Sequence, residues 1–363
     1  MTNPESAAPA QSSEQPQGGS IALERPGSVV PPGSKFYVVR HSDEVMERAL
    51  QRKGTIILIK GGRQMGMTSL IVRSLDQVRA AGAITVYTDL GKLINTDFES
   101  IQQFYIALAH SLADQLDVET QIEDRWSDRR APNINFERYL LREVMPKAGG
   151  HLFWALDAVD RLAATDFGSE VFGLFRSFHI ESTDNPDTPW GNLSVIIAHS
   201  TEAHLLINDA YRSAFNVGER IELQDFSREQ VEALNQLYGS PLATAELITR
   251  FYDLVGGQPY LVRLGLNELA ARATPFEEFE AAADSDEGLF GDPLRRILGL
   301  MARDPEMTEA VRTVLDGGNN LSVEAFQKLR AAGIVYGQYA TNAKMRCDLY
   351  ARYLSRHLKE PAG

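Results

Sequence analysis

The stretch Ile56–Leu70 constrains the fold of this chain more than any other segment. It opens with a short apolar run rich in β-branched residues, as expected of a buried parallel strand. The glycines Gly61, Gly62 and Gly66 follow, and the residues from Ser69 onward have the pattern of a helix. A strand, a glycine-rich loop and a helix N-terminus together form an anion site, because backbone N–H groups converge there and the helix dipole favours negative charge. The sequence therefore predicts a phosphate-binding loop.

The loop departs from the usual pattern G-x-x-x-x-G-K-[ST] at its lysine. Gly61, Gly66 and Thr68 match the pattern, but Met67 occupies the position of the residue that normally places a positive charge on the outer phosphates. We expect the Thr68 hydroxyl to bind the magnesium ion that accompanies ATP. The loop residues predicted to contact the nucleotide are Gly61, Gly62, Arg63, Gln64, Met65, Gly66, Met67, Thr68 and Ser69.

Another apolar strand, Leu152–Leu156, leads directly into the acidic residue Asp157. A carboxylate at the tip of such a strand lies beside the phosphate loop and can hold magnesium through water. Many ATPases carry a glutamate at the next position, where it polarises the attacking water, but this chain has Ala158. The alternative interpretation is that Asp157 only ends the strand or caps the following helix.

Met67 and Ala158 together remove a cation and a carboxylate on which phosphoryl transfer depends. Their absence should slow hydrolysis by a factor on the order of 10³ or more. Binding of ATP and magnesium is expected to be weak or absent, since only the backbone cradle and the helix dipole remain. The sequence thus predicts a pseudo-ATPase, with no residue assigned as catalytic.

Strands and amphipathic helices alternate around the loop. Further strands are predicted over Ile84–Leu90 and Leu193–Ser200. Alternation of this kind implies right-handed crossovers and a parallel sheet covered by helices on both faces, an α/β fold. At the end of the last strand, His199, Ser200 and Thr201 are expected to face the γ-phosphate; a structural role for His199 is the alternative.

Four regions are predicted along the chain: a disordered tail over residues 1–34, an α/β core over 35–224, a helical lid over 225–304 and a winged helix over 305–360. The tail is rich in Pro, Ser, Gly and Gln, a composition that disfavours a packed core. The lid begins with Ser227 and Gln230 at capping-box spacing, and Pro259 suits a first helical position. In the tail, Ser20–Glu24 is the candidate for docking to a partner.

Charge and composition narrow the possible functions. The net charge of −13 and the pI near 5.1 argue against a general nucleic-acid-binding surface, and Lys328 and Arg330 are the basic residues of the predicted recognition helix. A single cysteine, Cys347, excludes an internal disulfide framework and fits a reducing compartment. No apolar run reaches the length of a membrane span, so a cytoplasmic location is expected.

The order of these motifs resembles the bacterial AAA-like domain proteins, a branch near the STAND class of signalling NTPases. The resemblance rests on Phe36–Arg40, Gly62–Gly66, Leu156–Arg161, His199–Glu202, Phe215–Gly218 and Gly256–Arg263. It implies an ATP-binding core, a helical lid and a winged helix, with Val39 and Arg40 near the adenine and Pro259 closing the pocket from the lid. It also suggests a regulatory switch of a kind often fused to signalling or effector modules in bacteria. For this chain we expect the output to pass through a protein partner or through self-assembly.

Three functional hypotheses follow. The first is a nucleotide-binding regulatory protein with little or no hydrolysis. The second is an active ATPase in which another cation, such as Lys60 or Arg63, replaces the missing lysine. The third is a DNA-associated AAA-type protein that acts through the winged helix.

Overall fold

A computed structural model describes residues 23–24, 26–27, 29–119, 121–200 and 216–358 of the chain. Its centre is a five-stranded parallel sheet with the strand order β2-β3-β4-β1-β5. This arrangement confirms the predicted α/β fold with a parallel sheet. The strands are β1 (Ile56–Lys60), β2 (Ile84–Asp89), β3 (Leu152–Asp157), β4 (Leu193–His199) and β5 (Glu219–Glu222).

Burial on both faces explains why the central strands are apolar throughout. Every residue of β3 and β4 is buried. Alternate side chains of the sheet enter separate hydrophobic clusters, one containing Leu58 and Trp154 and the other containing Ile59 and Phe153. Because a strand's side chains point alternately to opposite faces, each cluster covers one face of the sheet.

Helices cover both faces of the sheet. One cluster packs α1 and α2 and the other packs α3, α5 and α7. The helices up to β4 are α1 (His41–Leu50), α2 (Met67–Ala80), α3 (Ile101–Leu116), α4 (Ile122–Arg125), α5 (Pro132–Tyr139), α6 (Met145–Ala148) and α7 (Gly168–Asp184).

The chain after β5 is helical except for a short antiparallel hairpin, which pairs β6 (Val335–Tyr336) with β7 (Lys344–Met345). A third hydrophobic cluster runs from Phe226 to Leu358 and also takes in Phe36. The predicted boundary between residues 304 and 305 and the winged-helix interpretation remain predictions. The helices of this part are α8 (Arg228–Leu237), α9 (Ala245–Val255), α10 (Pro259–Arg272), α11 (Phe276–Ala282), α12 (Gly291–Met301), α13 (Pro305–Leu315), α14 (Val323–Ala331) and α15 (Asp348–Leu358).

Some local features differ from a simple interpretation of the sequence. Ser42 is a typical capping residue, but the N-cap of α1 is Arg40, whose N–H donates to the Asp43 carboxylate at 2.9 Å. The helical pattern over residues 136–145 contains a π-helical turn over Leu140–Val144. Strand β5 and helix α12 were not predicted. By contrast, the Ser227–Gln230 capping box and Pro259 at the start of α10 are both confirmed.

The expected disordered tail differs from the structure in its last part. Residues 1–22 lie outside the described residues, and this range includes Ser20, Ile21 and Ala22 of the docking candidate. From Leu23 onward the described residues contact the rest of the protein, and Leu23 packs against the third cluster. No helix among the described residues is both long and apolar enough to cross a membrane.

A candidate nucleotide site at the carboxyl end of the sheet

The phosphate-binding loop leaves β1 at Lys60 and enters α2 at Met67. Gly66 is the N-cap of α2 and has φ 92° and ψ 24°, in the left-handed region that favours glycine. Gln64 also has a positive φ of 64°. The loop therefore bends sharply just before the helix and directs the first N–H groups of α2 toward one point, as an anion site requires.

Thr68 and Asp157 meet beside the loop. The Thr68 hydroxyl donates to Asp157 Oδ2 at 2.6 Å, and the Tyr87 hydroxyl donates to the same oxygen at 2.9 Å. Burial and the nearby Asp157 carboxylate raise the pKa of Tyr87 far above its usual value, so this hydroxyl stays protonated and donates. A hydroxyl and a carboxylate are the hard oxygen ligands that magnesium prefers, and the pair fits a magnesium ion.

Ala158 lies where a water-polarising carboxylate is expected in active enzymes. It has φ 56° and ψ 37°, and its N–H donates to Asp157 Oδ1 at 2.8 Å. The next acid, Asp160, accepts the Ser200 N–H through both carboxylate oxygens, each at 3.0 Å. Asp160 therefore helps to fix the chain at the end of β4.

A cavity of about 330 Å³ opens in front of the loop, between α2 and α10. Its walls are mainly apolar, with Thr68 and Ser69 on one side and Pro259 on the other. The residues that line it are Gly27, Val29, Val30, Phe36, Tyr37, Val38, Arg40, Gln64, Met65, Gly66, Met67, Thr68, Ser69, Phe226, Pro259, Tyr260 and Arg263.

Arg40 and Arg263 are the cations among these lining residues. Arg40 is 8% exposed, and its Nη1 donates to the Met65 carbonyl at 2.8 Å and to the Gln224 carbonyl at 3.3 Å. Arg263 is 7% exposed and forms an ion pair with Glu24 at 3.2 Å. The pocket thus keeps positive charge near the loop, although neither arginine occupies the lysine position of the motif.

The predicted loop residues do not all face this cavity. Gly61 and Gly62 line a larger cleft of about 950 Å³ on the other side of the loop, together with Lys60. Arg63 lines a third, small cavity with Gln258. Neither Lys60 nor Arg63, the predicted substitute cations, is among the residues that line the cavity in front of Thr68.

Of the other predicted site residues, some line the cavity and others do not. Arg40 and Pro259 line the cavity, whereas Val39 is 57% exposed and its neighbour Val38 lines the wall instead. His199 is buried at the end of β4, next to Lys60 of β1, and its carbonyl accepts the Gly61 N–H at 3.3 Å. Thr201 lies outside the described residues. The roles of these residues in binding remain predictions.

Sequence reasoning missed Tyr87, Arg263 and Glu24. Arg263 belongs to the Gly256–Arg263 motif, and its spacing of one helical turn from Pro259 is the signal that places it on the pocket side of α10. Tyr87 lies on β2, which β3 and β4 separate from the loop strand β1, and Glu24 lies in a segment whose composition predicts disorder. Neither has a local sequence signal.

A family model described as the AAA-like domain matches residues 25–356. The chain belongs to the AAA-like domain family. The match extends into the last helix, so it covers the sheet, the helices that follow β5 and the C-terminal hairpin.

Solved structures share the fold at low identity. A Walker-type ATPase of Pyrococcus abyssi is 15% identical, with a TM-score of 0.63 over 90% of this chain and 99% of that one. The ORC2 protein of Aeropyrum pernix, solved in ADPNP and ADP complexes, is 9% identical, with a TM-score of 0.51 over 90% of this chain and 96% of that one. These similarities show a shared fold.

A longer protein carries a related segment. An uncharacterized WD repeat-containing protein of Synechocystis is 25% identical over 275 residues, which cover 72% of this chain. The match spans only 21% of the length of that relative.

Proposed function

We propose that this protein is a nucleotide-binding regulatory protein that binds ATP with magnesium weakly and hydrolyses it very slowly. The observation that carries the proposal is the contact between Thr68 and Asp157, which keeps the magnesium ligands together while Met67 and Ala158 replace the catalytic charges. The site thus keeps the residues proposed to bind the nucleotide and magnesium but lacks the charged residues that would catalyse hydrolysis.

Retention of binding is supported by the geometry of the loop. The left-handed Gly66 and the N-terminus of α2 preserve the anion cradle, and the cavity of about 330 Å³ lies at the lower end of the range of roughly 300–1,000 Å³ typical of ligand pockets. The ORC2 protein of Aeropyrum pernix, which has the same fold, was solved with ADPNP and ADP. An adenine nucleotide is accordingly the ligand we propose.

Slow hydrolysis is supported by what surrounds the loop. Met67 offers a neutral thioether in place of a cation, and Asp160 is held by the Ser200 N–H. When bound, magnesium would neutralise phosphate charge and be held by Thr68 and Asp157. Among the described residues that line the cavity, none is acidic, so none would orient an attacking water.

Signal output is proposed to pass through the C-terminal hairpin. Arg346, just after β7, forms an ion pair with Asp225 and donates to Met65 Sδ at 2.8 Å and to the Gly333 carbonyl at 3.4 Å. A change in the loop would therefore displace the hairpin. We propose a protein partner or a second copy of the chain as the receiver, in the cytoplasm, in line with STAND-type switches.

The alternative of an active ATPase has a specific observation in its favour: Arg40 lies against Gly66, with its Nη2 at 3.4 Å from the position that a Cβ would take there. A DNA-associated function is disfavoured by ion pairs on α14. Lys328 pairs with Asp304, Glu306 and Glu324, and Arg330 pairs with Glu222. These acids would repel phosphate at the same surface.

Calorimetric titration of ATP with magnesium tests the proposal, with turnover measured on the same samples. The proteins are the native chain, Met67→Lys/Ala158→Glu, and the matched uncharged control Met67→Leu/Ala158→Gln. We expect binding by all three and measurable turnover only in the charged variant. Turnover by the native chain would favour the active ATPase, and an absence of binding up to millimolar ATP would overturn the nucleotide-binding function.

A further inference from the structure

The described part of residues 23–34, here called the N-terminal strap, crosses the mouth of the candidate nucleotide pocket. On the lid side, Glu24 pairs with Arg263 and its carbonyl accepts a hydrogen bond from Asn267 Nδ2 at 3.1 Å. On the core side, the Val30 N–H donates to Ser69 Oγ at 3.0 Å, and Arg73 Nη1 donates to the Pro32 carbonyl at 2.8 Å. The strap therefore ties α10 to α2.

The surroundings of Arg263 favour the binding of an anion. Its side chain is 8% exposed, it lines the pocket, and its Nε has no hydrogen-bond partner among the described residues. A guanidinium offers several donors in a planar fork that matches carboxylate and phosphate oxygens. In this structure the anion is the Glu24 carboxylate, which Ser34 Oγ also contacts at 2.7 Å.

The strap also occupies a group of the phosphate loop itself. Ser69 is the second hydroxyl residue of the loop and was predicted to contact the nucleotide. Its Oγ accepts the Val30 N–H, and Gly27, Val29 and Val30 form part of the cavity wall. The strap thus engages Arg263 on the lid and Ser69 on the core at the same time, on the two sides of one cavity.

We propose that Arg263 is a phosphate-binding residue of the pocket and that Glu24 of the strap occupies it as an internal competitor. A nucleotide phosphate takes the place of the Glu24 carboxylate, and the strap leaves Ser69 when the ligand enters. The inference rests on the proposed nucleotide binding and names the cation that serves the phosphates in the absence of a lysine at position 67. The strap then couples ligand binding to release of the N-terminal segment.

The size of the effect follows from competition. The apparent affinity of the pocket is reduced by the fraction of molecules in which the strap is closed. Loss of one partly buried ion pair should free the pocket enough to tighten nucleotide binding by about 3- to 10-fold. Loss of Arg263 itself should weaken binding by about 10-fold or more, because a charge-assisted contact to the ligand disappears.

A double-mutant cycle on the full chain tests the assignment, with a fluorescent ATP analogue and magnesium as the probe. The variants are Glu24→Gln, Arg263→Gln, the double variant, and Glu278→Gln as a control of equal charge change on the exposed face of α11. Glu24→Gln should bind about 3- to 10-fold more tightly than the native chain and the control. The same change should bring no gain in the Arg263→Gln background.

Hydrogen exchange at the Val30 amide gives a second readout. Its exchange should accelerate when ATP and magnesium saturate the native chain, because the bond to Ser69 Oγ is lost. Val30→Pro, which lacks the N–H, should bind more tightly, as Glu24→Gln does. Equal binding by the native chain and both strap variants, with unchanged exchange, would overturn this inference and leave the proposed function standing. An absence of binding in every variant would overturn both.

Discussion

The Thr68 hydroxyl lies 2.6 Å from Asp157 Oδ2 although 89 residues separate them along the chain. Thr68 follows β1 and Asp157 ends β3, and β4 lies between these strands in the sheet. The contact arises because the carboxyl ends of parallel strands meet at one edge, where ligands bind in folds of this type. The Thr68 hydroxyl and the Asp157 carboxylate thus form a hydrogen bond at the edge where a magnesium ion is proposed to bind.

Replacement of Thr68 tests that interpretation. Thr68→Ala should abolish the magnesium dependence of ATP binding and weaken binding with magnesium by about 10-fold or more, because one oxygen ligand is lost. Thr68→Ser keeps the hydroxyl and should preserve most of the dependence. Calorimetric titrations with and without magnesium measure both effects. Equal magnesium dependence in the Ala and Ser variants would contradict a metal role for Thr68.

Arg346 is predicted to stabilise the contact between the phosphate loop and the C-terminal hairpin. Its side chain is 8% exposed and pairs with Asp225, which is 29% exposed. Arg346→Met leaves that carboxylate without its cation and should lower the free energy of unfolding by about 2–3 kcal/mol, somewhat below the usual cost for a fully buried pair.

Arg330 provides the matched control for this measurement. It pairs with Glu222 from the same part of the chain, but its side chain is 34% exposed and that of Glu222 is 47% exposed. Arg330→Met should therefore cost less than about 1 kcal/mol. Urea unfolding of the two variants gives the comparison, and similar losses would show that burial does not set the strength of the Arg346 pair.

Close approach of backbones, rather than conformation alone, should decide the effect of glycine substitutions. Gly218 has φ +83°, and a Cβ there would lie 2.2 Å from the Ile56 carbonyl oxygen on β1. Gly82 has a similar φ of +90°, but a Cβ there meets nothing within 4 Å. Gly82→Ala should cost about 1–2 kcal/mol for the left-handed backbone. Gly218→Ala should cost about 1–3 kcal/mol more, because β5 must move away from β1.

Thermal or urea unfolding of the two alanine variants measures this difference directly. Comparable losses at both positions would mean that β5 shifts without cost. The comparison is informative because both glycines have the same backbone constraint, so only the steric contact differs.

The sequence was sufficient for those parts of the fold that local chemistry specifies. The apolar runs of β1, β3 and β4 are buried on both faces, and this burial is what makes them readable as strands. β5 was missed because it lies at the sheet edge and buries only Ile221 among the charged residues Glu219, Arg220 and Glu222. A strand with one buried side chain has no apolar pattern to detect.

The contacts of the candidate site likewise include some that the sequence predicts and some that it does not. The meeting of Thr68 with Asp157 follows from the parallel sheet, so sequence reasoning could anticipate it. The contacts of Arg346 with Met65 and of Glu24 with Arg263 join segments that are 281 and 239 residues apart, respectively. Such tertiary pairings leave no local spacing or periodicity in the sequence, and only the packed fold brings them together.

His151 should make the stability of the protein fall at mildly acidic pH. Burial, reinforced by the nearby charge of Lys53, lowers the pKa of this histidine from 6.5 to about 4, and its Nε2 lies 2.9 Å from Ser194 Oγ. Between these two pKa values the unfolded chain binds a proton at His151 and the folded protein does not. Stability is therefore fully present above about pH 6.5 and is lost as the pH falls toward 4.

His151→Asn isolates this contribution, because it removes the titrating ring and leaves every carboxylate in place. Between pH 7 and pH 4 the native chain should lose about 1–2 kcal/mol more free energy of unfolding than the variant, a value discounted for the partial solvent exposure of the ring. Urea unfolding at a series of pH values measures both curves. If the two curves run parallel across this interval, His151 is not the group whose protonation destabilises the fold.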